Sequence, residues 1–338
     1  MSNMKDVYIL AVETSCDETS IAIIKNGCDC IDLTISTQID THAKYGGVVP
    51  EIASRMHTES ITFVLEECLT KANMKVEQMD AIAVTYAPGL MGSLLVGVEF
   101  AKTLAFVYNK PLIAVNHMAG HIYANNLVEK MQYPLLALVV SGGHSNLVLM
   151  EGDYKFKRLG STLDDAVGEC YDKVARVLGL PYPGGPNIER LAKEGIASYD
   201  LPIPLAKDDS YNFSFSGLKS QVLNLVNNEK QRGNEIRKSD LAASFQKTAI
   251  KHLINKCELA IKKESIKNMV VAGGVSANEY LRTEIQALCM KNNVKISIPP
   301  FIYCTDNAAM IGCAAYPLYL KGDFADYTLN AKSSDELF

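Results

Sequence analysis

Val7–Val12 is an unbroken apolar run, the pattern of a strand buried on both faces. The polar turn Ser15–Cys16–Asp17–Glu18 follows, then apolar Ile21–Ile24 and alternating Ile31–Ile35, so the chain opens as a β-meander. Over 51–72, Ile61, Val64, Leu65, Cys68 and Leu69 recur at helical spacing and predict an amphipathic helix. Ala81–Thr85 reads as a strand, the segment around Pro88, Gly89 and Gly92 as a flexible loop, and 93–108 as an apolar helix. Leu112–Val115 is a further strand, running into a helix that carries His117 and His121.

The pattern then restarts. Leu135–Val140 is wholly apolar, Ser141–Gly142–Gly143–His144 is a tight turn, and Asn146–Met150 returns as a strand. This strand–turn–strand matches the opening of the chain and suggests a duplicated α/β unit. Between about 160 and 265 the pattern is mostly helical, clearest at Leu163–Leu178 and Leu241–Lys262, with Tyr182–Pro186 as a rigid loop between helices. Met269–Ala272 and Lys295–Ile298 are the last strands, with a helix from about 277 between them, and Cys304–Lys321 is a closing helix. The tail after Phe324 carries little structural signal.

At 338 residues the chain is long for one core and comfortable for two domains. Composition changes little in this picture, but charge does. A net charge of −5 is a poor match to a polyanion held by this chain alone, so a nucleic-acid substrate would call for a partner or a local basic patch such as Lys230, Arg232, Arg237 and Lys238. Nine cysteines without a CxxC pair fit buried thiols of a reducing cytosol better than a zinc knuckle or a disulfide scaffold. No secretory leader and no run of about 20 apolar residues is evident, so a cytoplasmic protein without a membrane segment is expected.

Several motifs carry chemistry. His117 and His121, at i and i+4, share one helix face and can point at one ion, although two plain helix histidines would look the same. A zincin peptidase needs Glu directly after the first histidine, and Met118 stands there instead. Ser141–Gly142–Gly143 and Gly273–Gly274 each end an apolar strand. Such turns let backbone amides approach a phosphate, yet neither is a GxGxxG or P-loop motif. Asp164, Asp165, Glu169 and Asp172 fall on one predicted helix, either as a solvated face or as a site in which Asp172 accepts from ribose hydroxyls. In Cys304–Thr305–Asp306–Asn307, Thr305 or Asp306 is either an N-cap or, for Asp306, the carboxylate of a two-histidine, one-carboxylate metal set.

Taken together, the motifs resemble one family. They are ETSCDETS from Glu13, HAKYGGVVPEIASRMH from His42, APGLMGSLLVG from Ala87, NHMAGH from Asn116, VSGGH from Val140 and DDAVGECYDK from Asp164. YPGGP from Tyr182, FSFSGLK from Phe213, AGGVSAN from Ala272 and CTDNAAMIG from Cys304 complete the set. The chain resembles the tRNA N6-adenosine threonylcarbamoyltransferase family (TsaD), in its bacterial-type branch, from about residue 7 to 320. His144–Ser145 and GECYDK are mild departures from the family wording, and the tail Asn330–Phe338 lacks the Arg- and Trp-containing ending of some members.

The resemblance implies an α/β fold of the acetate kinase, sugar kinase, heat-shock chaperone and actin (ASKHA) type. Two RNase H-like lobes would face a nucleotide cleft, with a helical insertion in the second. Lobe one would be 1–132 rejoined by a closing helix 304–325, and lobe two 133–303 with its insertion at about 160–265. It implies one divalent metal ion per subunit, iron with zinc as the alternative, on His117, His121 and Asp306. It implies substrate contacts at Val139, Val140, Ser141, Gly142, Gly143, Asp172, Gly185 and Asn278, with no catalytic residue assigned apart from these sets. The implied reaction moves a threonylcarbamoyl group from threonylcarbamoyl-AMP to N6 of adenosine 37 in tRNAs reading codons that begin with A, forming t6A. The implied partners are tRNA, a TsaB-like paralogue docked on an apolar helix face from 51–72 or 93–108, a TsaE-like ATPase, and a TsaC-type enzyme that supplies the adenylate. The alternative is a kinase or ATPase of the same fold, with acidic residues such as Asp17 holding magnesium.

Overall fold

The structure, a computed structural model, describes residues 5–335 and 337. The chain divides into two units, Met1–Met131 with Pro299–Leu337, and Gln132–Ile298. The first unit therefore draws on both ends of the chain.

In the first unit the apolar runs form β1 (Tyr8–Glu13), β2 (Glu18–Lys25), β3 (Asp29–Thr37), β4 (Ala81–Ala87) and β5 (Leu112–Asn116). They make one sheet in the order β3-β2-β1-β4-β5, antiparallel through the meander and parallel from β1 to β5. Its helices are α1 (Ile39–Ala43), α2 (Pro50–Ala72), α3 (Met91–Val107), α4 (His117–Tyr123) and, after the second unit, α10 (Ala308–Lys321). Alternation along β1 assigns its two faces. Leu10 and Val12 join Ile61, Val64 and Cys68 of α2 and Leu94 and Val98 of α3 in one core. Ala11 faces α10, where a Cβ on Gly312 would stand 3.4 Å from the Ala11 Cβ and 2.4 Å from Ile24 Cγ1. Only glycine allows α10 to lie that near the sheet.

The second unit repeats the sheet. β6 (Leu135–Val140), β7 (Ser145–Gly152), β8 (Lys155–Ser161), β9 (Asn268–Ala272) and β10 (Lys295–Ser297) order as β10-β9-β6-β7-β8, with the same antiparallel meander and parallel continuation. The duplicated unit expected from the sequence is thus present in topology. Leu136, Leu138 and Val140 pack with α5 (Val167–Val177), α6 (Gly184–Ala192), α7 (Ser216–Gln231), α8 (Lys238–Lys263) and α9 (Glu279–Lys291) into one core.

Three readings change. α5 begins at Val167, so Asp164 and Asp165 precede the helix instead of sharing a face with Glu169 and Asp172. Asp164 accepts the Phe215 and Ser216 N–H groups at 2.7 and 3.1 Å, and Asp165 pairs with Lys173 and Lys219 at 2.8 and 2.6 Å. Both aspartates thereby fasten the start of α7. Gly184, Gly185 and Pro186 form the first turn of α6, not a loop between helices. The tail beyond Phe324 is held to the first unit: Ala325 N–H donates to Leu112 C=O at 2.8 Å, Lys332 N–H donates to Tyr86 C=O at 2.9 Å, and Ala331 is buried. Among the described residues no helix is long and apolar enough to cross a membrane.

Candidate functional site

The histidine pair is set by how α4 starts. β5 ends at Asn116, whose side chain accepts the Met118 N–H at 2.9 Å and caps the helix. His117 is therefore the first helical residue and His121 lies one turn on, on the same face. A Cβ on Gly120 would meet Ile311 Cδ1 at 2.7 Å, so α4 packs closely against α10. Asp306 lies just before α10. The cap of α10 is neither Thr305 nor Asp306 but Asn307, which accepts the Met310 N–H at 3.1 Å. The Asp306 carboxylate is left to face α4.

There the three residues meet. His117 Nε2 and His121 Nε2 lie 3.4 and 3.2 Å from the same Asp306 Oδ1, and their rings are near-perpendicular, 81°, with centroids 4.6 Å apart. One donor atom from each residue lies within 4.8 Å of the others. Donor atoms held at about 2.0–2.2 Å from one ion stand roughly 3–3.5 Å apart, and the two imidazole–carboxylate spacings, 3.4 and 3.2 Å, match that span. His121 is buried, and among the described residues neither ring nitrogen has a hydrogen-bond partner. A buried polar atom left so costs about 1–3 kcal/mol, which a cation at Nε2 would offset. Two imidazoles and a carboxylate suit iron(II) or zinc, so the residues fit such an ion.

The electrostatics point the same way. Burial alone would lower the His117 pKa, but the Asp306 and Glu13 carboxylates overcome it and hold the imidazole well above its usual value. Burial, then the charge on His117, pushes His121 down. Burial opposes ionisation of Asp306, yet the two histidines hold its carboxyl below the carboxylate range. The pocket concentrates negative charge where a cation would sit.

Glu13 is a member of this neighbourhood that the sequence reading met only as the first residue of the ETSCDETS motif. It is fully buried, with Oε2 3.2 Å from His117 Nδ1. The signal was a charged residue directly closing an otherwise apolar strand.

The remaining predicted contacts lie in the second unit. Val139 and Val140 end β6, and Ser141, Gly142 and Gly143 turn into β7. The Ser141 and Gly142 carbonyls accept from Gly168 and Glu169 N–H at 3.3 and 3.2 Å, which ties this turn to the start of α5. Asp172, on α5, accepts the Gly184 N–H at 2.7 Å, and burial raises its pKa. The glycines sort into two kinds. A Cβ on Gly168, Gly184 or Gly273 would strike backbone at 2.4–2.6 Å, so these three serve packing. Among the described residues no atom lies within 4 Å of a notional Cβ on Gly142, Gly143 or Gly185, so their backbone is open to a ligand. Asn278 is buried; its side chain caps α9 at Leu281 N–H, 2.9 Å, and donates to Gln246 Oε1 at 3.0 Å. The first unit thus brings His117, His121 and Asp306 together, and the second joins the β6 turn to α5 and Asp172 to α6, while the Asn278 amide is engaged between the start of α9 and Gln246 of α8.

Two five-stranded sheets of one repeated topology, each begun by a strand–turn–strand, define the acetate kinase, sugar kinase, heat-shock chaperone and actin class. Solved structures support that class at low identity. Component A of the Acidaminococcus fermentans (R)-2-hydroxyglutaryl-CoA dehydratase superposes with a TM-score of 0.55 at 16% identity, covering 92% of this chain and 98% of that one. Full-length HypF in its phosphate- and nucleotide-bound form gives 0.61 at 16% identity, covering 97% of this chain and 56% of HypF. The family model described as TsaD, tRNA N6-adenosine threonylcarbamoyltransferase, matches residues 29–313. A relative named tRNA N6-adenosine threonylcarbamoyltransferase, from Anoxybacillus flavithermus, is 54% identical over 333 residues, 98% of each chain. This chain belongs to the tRNA N6-adenosine threonylcarbamoyltransferase family. It is a transferase, and the kinase or ATPase alternative is not favoured.

Proposed function

We propose that the chain transfers the threonylcarbamoyl group of threonylcarbamoyl-AMP to the N6 amine of adenosine 37 in tRNAs reading A-starting codons, with His117, His121 and Asp306 holding one divalent ion, iron or zinc. The observation that carries the metal reading is the convergence of two buried imidazole Nε2 atoms on one Asp306 oxygen. Family membership carries the reaction.

In the transfer, N6 forms a bond to the carbamoyl carbon, the bond from that carbon to the AMP phosphate oxygen breaks, AMP leaves, and the proton lost from N6 passes to solvent. A bound divalent ion would supply Lewis-acid polarisation and orientation of the donor. The chain's own residues do the rest. The open backbone of Gly142, Gly143 and Gly185 accepts close approach of the adenylate, with Val139, Val140, Ser141, Asp172 and Asn278 completing its pocket. Gly168, held against the β6 turn, keeps that turn in place. Fixing donor and amine together supplies the entropic part of the rate.

We further assign a paralogue of the TsaB kind to the face of α2 and α3, where Phe63 and Phe106 stand exposed at 69% and 72%. A TsaE-like ATPase and a TsaC-type source of the adenylate complete the set, acting in the cytoplasm. Asp306→Asn and His121→Ala should lose bound metal, read by elemental analysis, and lower turnover on unmodified tRNA at least 100-fold, with far-UV dichroism unchanged. Parent-level metal in both variants would overturn the assignment.

A further inference from the structure

Glu13 closes β1 at zero exposure, and burying a carboxylate is costly unless it is paired. Its partners are specific. Oε1 accepts the Ser15 N–H from the turn after β1, and Oε2 accepts the Thr85 hydroxyl from β4. Oε2 also lies 3.2 Å from His117 Nδ1, and Ser15 Oγ lies 3.2 Å from that same nitrogen. Two adjacent strands thus clamp a carboxylate whose ion-pair partner is one histidine of the candidate metal set. His121 has no such support among the described residues, where its Nδ1 is buried without a hydrogen-bond partner.

We propose that Glu13 is the positioning residue for His117. It accepts the Nδ1–H, fixes that tautomer, and turns the Nε2 lone pair toward Asp306 and His121. Thr85 and the Ser15 N–H in turn hold Glu13. A carboxylate behind a ligating imidazole both orients the ring and raises its donor strength, and losing it commonly weakens metal binding about 10–100-fold. The proposal rests on the reading of His117, His121 and Asp306 as one metal set.

The test uses the full chain and zinc alone as probe, with affinity measured by competition against a chromophoric chelator. Glu13→Gln keeps shape and removes charge, and should weaken zinc about 10–100-fold. In a His117→Ala background the same change should have no further effect, because the histidine it serves is gone. In nitrogen-15 spectra of the zinc-loaded parent, His117 should show a downfield, slowly exchanging Nδ1 proton that moves upfield in Glu13→Gln. Where Glu13→Gln does not fold, Thr85→Val removes only the clamp and should shift the same proton and weaken zinc by a smaller factor. Parent-like affinity and spectrum in Glu13→Gln, or in Thr85→Val if it alone folds, overturn the positioning role. So does an equal loss with and without His117. His121→Ala separates this from the underlying reading: if it binds zinc as the parent does, the metal set itself fails. If it loses zinc while Glu13→Gln does not, only the positioning role fails.

Discussion

At the scale of single residues, His252 shows how a buried titratable group serves structure. Its Nε2 accepts the Ser214 N–H at 3.2 Å, and the Phe213 and Phe215 rings meet its ring edge-on. Burial first, and the neighbouring Lys256 charge second, push its pKa from 6.5 to about 4. The folded pKa lies below the unfolded one, so between those values the unfolded chain binds the extra proton. Stability is full above pH 6.5 and falls as pH drops toward 4, by up to about 3 kcal/mol from this group. Urea midpoints at pH 7 and pH 5 check this: His252→Gln should be less stable at pH 7 but lose less on acidification. The same scale shows where sequence reading stops. Met118 argued correctly against a zincin. The choice between cap and ligand at Asp306 stayed open in the sequence because Asn, Asp and Thr all cap helices well, and only the backbone reveals that Asn307 took that place.

At the scale of elements, apolar strands such as Leu135–Val140 were legible because burial on both faces demands an unbroken run. Lys155–Ser161 was not. It is an edge strand whose lysines and Arg158 face solvent, and charge on an edge hides a strand while guarding it from mispairing. The start of α7 was also missed, since its first turn is organised by distant Asp164 and not by its own sequence. The seating of α4 on α10 gives a direct prediction. Gly120→Ala would press a methyl onto Ile311 Cδ1, costing about 1–3 kcal/mol and parting His121 from Asp306. Thermal unfolding and zinc affinity should both fall, and Ile311→Val, which removes that Cδ1 atom, should restore both. A loss of stability with unchanged zinc affinity would separate the packing from the site.

At the scale of the whole molecule, the duplicated α/β unit was legible as a restart of the strand pattern at Leu135, while the family, and with it the fold class, was legible only through ten short motifs matched together. The charge of −5 bears on how tRNA is handled. Phosphate contacts supply much of the affinity for nucleic acid. The lone chain, given adenylate and unmodified tRNA at physiological salt, should therefore turn over poorly, and the paralogue and ATPase should raise the rate. Phe63→Glu should abolish the paralogue's effect without changing metal content. Repeated turnover by the lone chain would overturn this dependence while leaving the chemistry in place.

The way the first unit is threaded has a consequence for biosynthesis. Asp306 and α10 lie at least 185 residues downstream of the two histidines, and α10 covers a face of the sheet begun by β1. On the ribosome the contiguous stretch Gln132–Ile298 has all its strands before the first unit has its last helix. The unit that starts the chain is then the one finished last, and His117, His121 and Asp306 cannot gather until translation is almost complete. Ribosome-stalled chains in which Ile298 has just cleared the exit tunnel should protect the second unit from protease while leaving β1–β5 open to cleavage. Protection of the first unit should appear only once α10 has emerged, so His117 and His121 stay apart from Asp306 during most of synthesis.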